Sequence, residues 1–108
     1  MSRKDFISEA TRVLADRIGD LQQLTFDQAA LLPETEGAYR TLGGYRARIT
    51  TFRQSGLPQF KGMVLVTVLV SRPTLLGISA HHIGRGLVFS PNNPVREATA
   101  GELQNSGG

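Results

Sequence analysis

The segment from Met63 to Ser71 reads MVLVTVLVS, and it decides the fold class. It is rich in β-branched residues, and within its apolar run only Thr67 is polar. β-Branched side chains favour the pleated backbone, and an almost unbroken apolar run is typical of a strand covered on both faces. The segment therefore predicts a central β-strand. We expect Arg72-Pro73-Thr74 to end it, because proline cannot donate to a central ladder.

The residues before this strand predict a hairpin. Tyr39 to Leu42 and Tyr45 to Arg53 flank Gly43-Gly44, and paired glycines permit the positive φ angles of a tight primed turn. Residues 34–37 are predicted to be a loop. The two-residue period of a strand divides the second arm into one face with Arg46, Arg48, Thr50 and Phe52 and another with Tyr45, Ala47, Ile49 and Thr51. The second set suits a core.

The residues after the central strand predict further short strands. We expect strands at 75–83, 87–90 and 95–98, with Gly84-Arg85-Gly86 as one turn and Pro91-Asn92-Asn93-Pro94 as another. Short connections favour antiparallel neighbours, since parallel strands need long crossovers.

The N-terminal third predicts helices. Apolar residues recur at spacings of three and four, the stripe of an amphipathic helix: Phe6, Ile7, Ala10, Val13, Leu14, Ile18 and Leu21. We expect this helix to end at Gly19. Thr25 and Gln28 have the form of a capping box, which predicts a short second helix from Phe26 to about Leu32, before Pro33.

Together these patterns predict an α+β fold, with the two helices packed on a mostly antiparallel, meander-like sheet of four to six strands. One domain is expected over residues 1–98, followed by a flexible C-terminal tail over 99–108. The core is expected to draw on the apolar faces of these elements: Phe6, Ala10, Val13, Leu14, Ile18, Ile49, Val64, Val66, Val68, Leu69, Ile78 and Phe89.

Composition narrows the class of protein. Hydrophobic residues make up 40% and charged residues 19%, which favours a folded core over disorder. The absence of cysteine excludes a disulfide scaffold and thiolate metal sites. Charged residues stand where a signal peptide would need its apolar core, and the apolar run of the central strand is too short to span a bilayer. We therefore expect a cytoplasmic protein with no membrane association.

Residue types suited to catalysis are present, but not in catalytic patterns. His81 and His82 are adjacent and would point to opposite faces of a strand, so they cannot share a metal ion. Ser79 and His81 share a face but lack a nearby carboxylate to orient the imidazole. The glycine pairs lie between strands and do not open a helix as phosphate loops do. We expect no catalytic residues, no metal and no cofactor.

Charge is unevenly distributed along the chain. Residues 37–96 contain eight basic side chains and no Asp or Glu, whereas residues 1–36 are net acidic. Such asymmetry indicates an anionic partner or neutralisation by the acidic helical segment. The leading hypothesis is a non-enzymatic domain that binds an acidic protein, or itself as a homodimer, through a basic β face. The candidate contact residues are Arg46, Arg48, Phe52, Arg53, Phe60 and Lys61.

Two alternatives remain open. Guanidinium groups beside a ring can follow a phosphate backbone and stack a base, so Arg46, Arg48 and Phe52 also suit a nucleic-acid-binding domain, although no known nucleic-acid motif is present. The third hypothesis is an enzyme without a readable catalytic motif.

Overall fold

The computed structural model describes residues 3–58, 61–73 and 80–99, in which two helices pack on one face of a five-stranded antiparallel sheet. The helices are α1 (Arg3–Leu21) and α2 (Phe26–Ala30), and the strands are β1 (Thr35–Leu42), β2 (Tyr45–Ser55), β3 (Val64–Pro73), β4 (Ala80–Phe89) and β5 (Arg96–Glu97). The strands follow one another across the sheet in chain order, each antiparallel to the next. The predicted α+β fold and its meander-like sheet are confirmed.

The stripe of α1 lies against the sheet as its spacing predicts. Phe6, Ala10, Leu14, Ile18 and Leu21 are all buried. The helix does not end at Gly19, as the sequence predicted, but continues to Leu21. Burying a leucine side chain stabilises by about 1.5–3 kcal/mol, which exceeds the cost of about 1 kcal/mol for glycine in a helix. Burial of Leu21 therefore accounts for the longer helix.

Helix α2 begins with the predicted capping box. The Thr25 hydroxyl accepts a hydrogen bond from the Gln28 N–H at 3.2 Å, and the Gln28 side chain accepts one from the Thr25 N–H at 2.9 Å. These bonds satisfy two backbone donors that the helix leaves unpaired. The helix ends at Ala30, slightly before the predicted end at Leu32, and Leu31 is its C-cap.

A tight turn joins β1 to β2. Gly43 and Gly44 have φ angles of 56° and 82°, and Leu42 pairs with Tyr45 across them. The predicted primed turn is confirmed, since both central residues have positive φ. A Glu9 carboxylate oxygen accepts a hydrogen bond from the Gly43 N–H, so helix α1 is tied to this turn.

Gly44 is an exposed residue of this turn, and substituting it is predicted to change the stability of the protein. Gly44→Val places a β-branched residue at a φ of 82°, and we expect it to lower the free energy of unfolding by about 1–2 kcal/mol. Gly44→Asn is the matched control, because asparagine tolerates the left-handed region. Urea denaturation measures both. Equal stability of the two variants would show that the turn does not require a positive φ here.

Strand β1 begins earlier than the sequence predicted. Residues 34–37 were expected to form a loop, but Thr35, Glu36 and Gly37 pair with β2. The Arg53 N–H donates to the Glu34 carbonyl at 2.9 Å and extends the ladder by one further residue. Seven of the eight residues of β1 are exposed, so the strand has no alternation of apolar and polar residues from which its start could be read.

Two predictions about β3 and β4 were wrong. Strand β3 does not end at Arg72 but continues to Pro73, which pairs with Ala80 of β4, while the pairing of β3 with β2 ends at Ser71. Proline is tolerated where one side of a strand has no partner. Gly84-Arg85-Gly86 is not a turn but lies inside β4.

Close packing explains one of the two glycines within β4. A Cβ atom at Gly84 would lie 3.2 Å from both Leu69 Cδ1 and the Val68 carbonyl oxygen. Gly84 is therefore suited to the close approach of neighbouring atoms in a strand.

The main core lies between α1, α2 and the sheet, and we call this side of the sheet the helix-covered face. Phe6, Ala10, Leu14, Ile18, Val64, Val66, Val68 and Phe89 are buried in it, as predicted, and Val13 and Ile49 pack at its margin. Leu69 is half-buried, and its strand position places it on the other face of the sheet. The prediction for Ile78 lies outside the described residues.

The other side of the sheet, which we call the open face, has a smaller cluster at one end. Leu65 and Val88 are buried there with Ala98, and Leu57 and Met63 of the β2–β3 loop pack against them. The hairpin end of the open face lies at the opposite end of β2 from this loop. Thr99 is exposed, and the rest of the predicted tail lies outside the described residues.

Candidate binding face

The register of β2 determines which side chains lie on the open face. Ile49 pairs with Val70 and packs against the core beneath the helices. Because side chains alternate along a strand, Arg46, Arg48 and Phe52 project from the open face. The division of this strand into a core face and an arginine-bearing face is as the sequence predicted.

Tyr39 joins the two arginines on the open face. It pairs with Arg48 across the β1–β2 ladder, and its side chain is 62% exposed. The Cζ atom of Arg46 lies 4.5 Å from the centroid of the Tyr39 ring. A guanidinium at this distance over a ring is held by a cation–π interaction, which contributes about 0.5–1 kcal/mol at an exposed site. Tyr39 therefore orients Arg46 on the surface.

A glycine makes room for the second guanidinium. A Cβ atom at Gly37 would lie 3.0 Å from Arg48 Nε and 3.1 Å from Arg48 Nη2. The guanidinium of Arg48 thus lies close against the backbone of β1, where any side chain would displace it. Sequence reasoning missed Tyr39 and Gly37. The two-residue turn could have pointed to them, because it sets the register that places Tyr39 opposite Arg48.

The arginines at the hairpin end carry charge that the described residues do not neutralise. Arg40, Arg46 and Arg48 are exposed, and none of them forms an ion pair with a described carboxylate. Glu9 is near this end, but its carboxylate accepts a hydrogen bond from the Gly43 N–H. The hairpin end therefore presents positive charge to solvent.

Arg85 shows the contrasting case of a matched charge. Its Nε and Nη2 atoms donate to the two oxygens of Glu97 at 2.6 and 3.0 Å. This hydrogen bonding raises the pKa of Arg85 above its ordinary value and lowers the pKa of Glu97 below its own. Arg85 thus has a carboxylate partner within the chain.

A groove of about 440 Å³ lies beside Phe52. Phe52, Thr67 and Leu69 contribute open-face side chains to it, and Glu34 and Thr35 also line it. The Thr67 hydroxyl is buried, and it has no hydrogen-bond partner among the described residues. The groove combines an apolar lining with a buried polar group.

The structure separates the remaining predicted contact residues from Arg46 and Arg48. Arg53 projects from the helix-covered face, where its Nε donates to the Leu32 carbonyl at 2.6 Å and its Nη1 to the Ser55 hydroxyl at 3.1 Å. This residue holds the α2–β1 connection against the sheet. Lys61 is exposed in the β2–β3 loop, at the other end of β2 and about 30 Å along the strand from Arg46. Phe60 lies outside the described residues.

The other residues weighed for catalysis are described only in part. The backbones of His81 and His82 lie in β4, opposite Arg72 and Ser71, while Ser79 and both imidazoles lie outside the described parts of the chain. In the part that is described, no group of three or more His, Asp or Glu side chains is arranged to hold a metal ion.

Neither described helix is long and apolar enough to cross a membrane. Comparisons with models of known protein families, with curated proteins and with solved structures found no match.

Proposed function

We propose that this chain is a non-enzymatic binding domain that uses the hairpin end of its open face to bind an acidic segment of another protein. One observation carries the proposal. Arg46 and Arg48 are exposed side by side, next to the exposed ring of Tyr39, on the face that the helices leave uncovered. Arginine and tyrosine are enriched among the residues that dominate binding energy at protein interfaces.

The groove beside Phe52 predicts the spacing of acidic and apolar residues in the expected ligand. Phe52 follows Arg48 by four residues, which corresponds to about 13 Å along β2. An extended peptide has the same rise per residue as a strand. A segment with an aspartate or glutamate at one position and a large apolar residue four positions away therefore contacts Arg48 and the groove together.

A nucleic-acid partner is the second candidate, and the exposed ring of Tyr39 favours it. Aromatic rings beside guanidinium groups on an open sheet can stack bases while the cations follow the phosphates. Against this, the Arg46 guanidinium already covers one side of the Tyr39 ring, and Phe52 is half-buried. We therefore place the acidic protein segment first.

Fluorescence anisotropy tests the proposal and separates the two candidates. The probes are a labelled peptide with acidic residues four positions from a phenylalanine, a peptide of the same composition with the spacing scrambled, and single-stranded oligonucleotides. We expect the first peptide to bind more tightly than the scrambled one. Preference for the oligonucleotides, with affinity falling steeply as salt rises, would instead support the nucleic-acid function. Equal affinity for both peptides would contradict the proposed ligand pattern.

A further inference from the structure

Strand β1 lies at one edge of the sheet, and no other described strand pairs with its outer side. It is eight residues long, seven of these are exposed, and its pairing with β2 runs without a bulge from Thr35 to Leu42. It contains no proline and no lysine, which are among the devices that protect sheet edges. A long, regular edge strand with free backbone groups is a template for pairing with another strand.

The backbone hydrogen bonds identify the groups that point outward from this edge. The Arg53 N–H donates to the Glu34 carbonyl, so the backbone of Glu34 faces β2. Residues alternate in an antiparallel ladder, so the even-numbered residues of β1 face β2. The N–H and C=O groups of Thr35, Gly37, Tyr39 and Thr41 therefore point away from the sheet.

We propose that β1 pairs antiparallel with β1 of a second copy of this chain, in a register centred on Ala38. This register places Glu36 opposite Arg40 of the second copy and Arg40 opposite Glu36. It also places each Tyr39 opposite Gly37 of the other copy, where the Arg48 guanidinium of that copy lies against the glycine. The outward-pointing residues then face each other, as an antiparallel ladder requires.

Charge complementarity selects this register over its neighbours. The neighbouring registers that also keep the outward-pointing residues opposite one another are reached by shifting one strand by two residues. A shift toward Leu42 would place Glu36 opposite that apolar residue and leave Arg40 opposite Ala38. A shift the other way would place Arg40 opposite Glu34, but it would pair only residues 35–39 of each β1, against residues 35–41 in the Ala38 register. Opposite charges directly across a ladder stabilise it, and the Ala38 register alone achieves this with residues inside β1.

The dimer would unite the open faces of the two copies. The ten strands would form one sheet, with the two β2 strands three strand spacings apart, which is about 14 Å. The two sets of Arg46 and Arg48 would then flank a central pair of Tyr39 residues on one continuous surface. Dimerisation does not depend on the proposed function, because β1 contributes its edge and the open face contributes the binding side chains.

Charge reversal at the edge tests the dimer and its register together. Glu36→Arg and Arg40→Glu each place like charges opposite one another, and each is expected to raise the dimer dissociation constant about tenfold or more. An equimolar mixture of the two variants restores opposite charges at every contact. We therefore expect the mixture to form a heterodimer about as tightly as the unmodified chain forms its dimer. Sedimentation equilibrium measures the unmodified chain, the two variants and their mixture.

Two controls make the result decisive. Glu34→Arg should leave the dimer unchanged, because the Ala38 register places Glu34 opposite Leu42, an uncharged residue at the end of β1. Circular dichroism checks that the variants fold, which is expected because the substituted side chains are exposed. A monomeric unmodified chain, or variants that dimerise as well as it does, would overturn the dimer. A mixture that stays monomeric, or a Glu34→Arg chain that fails to dimerise, would overturn the register.

Discussion

Replacing Phe6 with alanine is expected to lower the free energy of unfolding by about 3–5 kcal/mol. The Phe6 side chain is 0% exposed and belongs to the cluster that joins α1 to the sheet. Its ring also lies 5.2 Å from Arg72 Cζ, so the substitution removes a cation–π contact as well as leaving a cavity. Domains of this kind have total stabilities of about 5–15 kcal/mol, so the variant will be close to unfolding.

Urea denaturation of Phe6→Ala measures this loss, and a neighbouring substitution provides the control. Ile7→Ala removes an apolar side chain from the next residue of the same helix, but Ile7 is 39% exposed. We expect this variant to lose far less stability, because its side chain remains partly in water when the protein folds. Similar losses for the two variants would show that the face of α1 carrying Phe6 does not anchor the helix.

The elements predicted well from the sequence are those whose burial imposes a period. The stripe of α1 and the alternation of β2 are visible because one side of each element enters the core. β1 was recognised only in part, because its exposed residues have no such constraint. Gly84-Arg85-Gly86 was misread because glycine suits both a turn and a crowded position in a strand. Only the approach of Leu69 to Gly84 distinguishes the two.

The candidate site could likewise be predicted from the sequence only where it depends on the two-residue period of a strand. The two-residue period was sufficient to place Arg46, Arg48 and Phe52 together on one face. The position of α2 was also needed to show that Arg53 donates to the Leu32 carbonyl, because no local pattern relates a strand residue to a helix terminus. Charge counts along the chain likewise could not show which arginines have partners. Arg85 has Glu97, whereas Arg46 lies over an uncharged ring.

This distinction between matched and unmatched arginines leads to the largest functional effect that we expect. Arg46→Glu/Arg48→Glu should weaken binding of the acidic peptide by more than about 100-fold. Hydrogen bonds to charged groups contribute about 1.5–3 kcal/mol each, so losing two such contacts accounts for that factor, and the new negative charges add repulsion. Both side chains are exposed, so the urea midpoint should change little.

A second double variant separates specific contacts from general attraction. Arg12→Glu/Lys61→Glu changes the net charge by the same amount at two exposed residues, one on α1 and one in the β2–β3 loop at the far end of β2. If Arg46 and Arg48 contact the peptide directly, this control should retain most of the affinity, because charges farther away than a Debye length are screened at physiological salt. An equal loss in the two double variants would mean that net charge alone attracts the peptide. The open face would then have no specific role in binding.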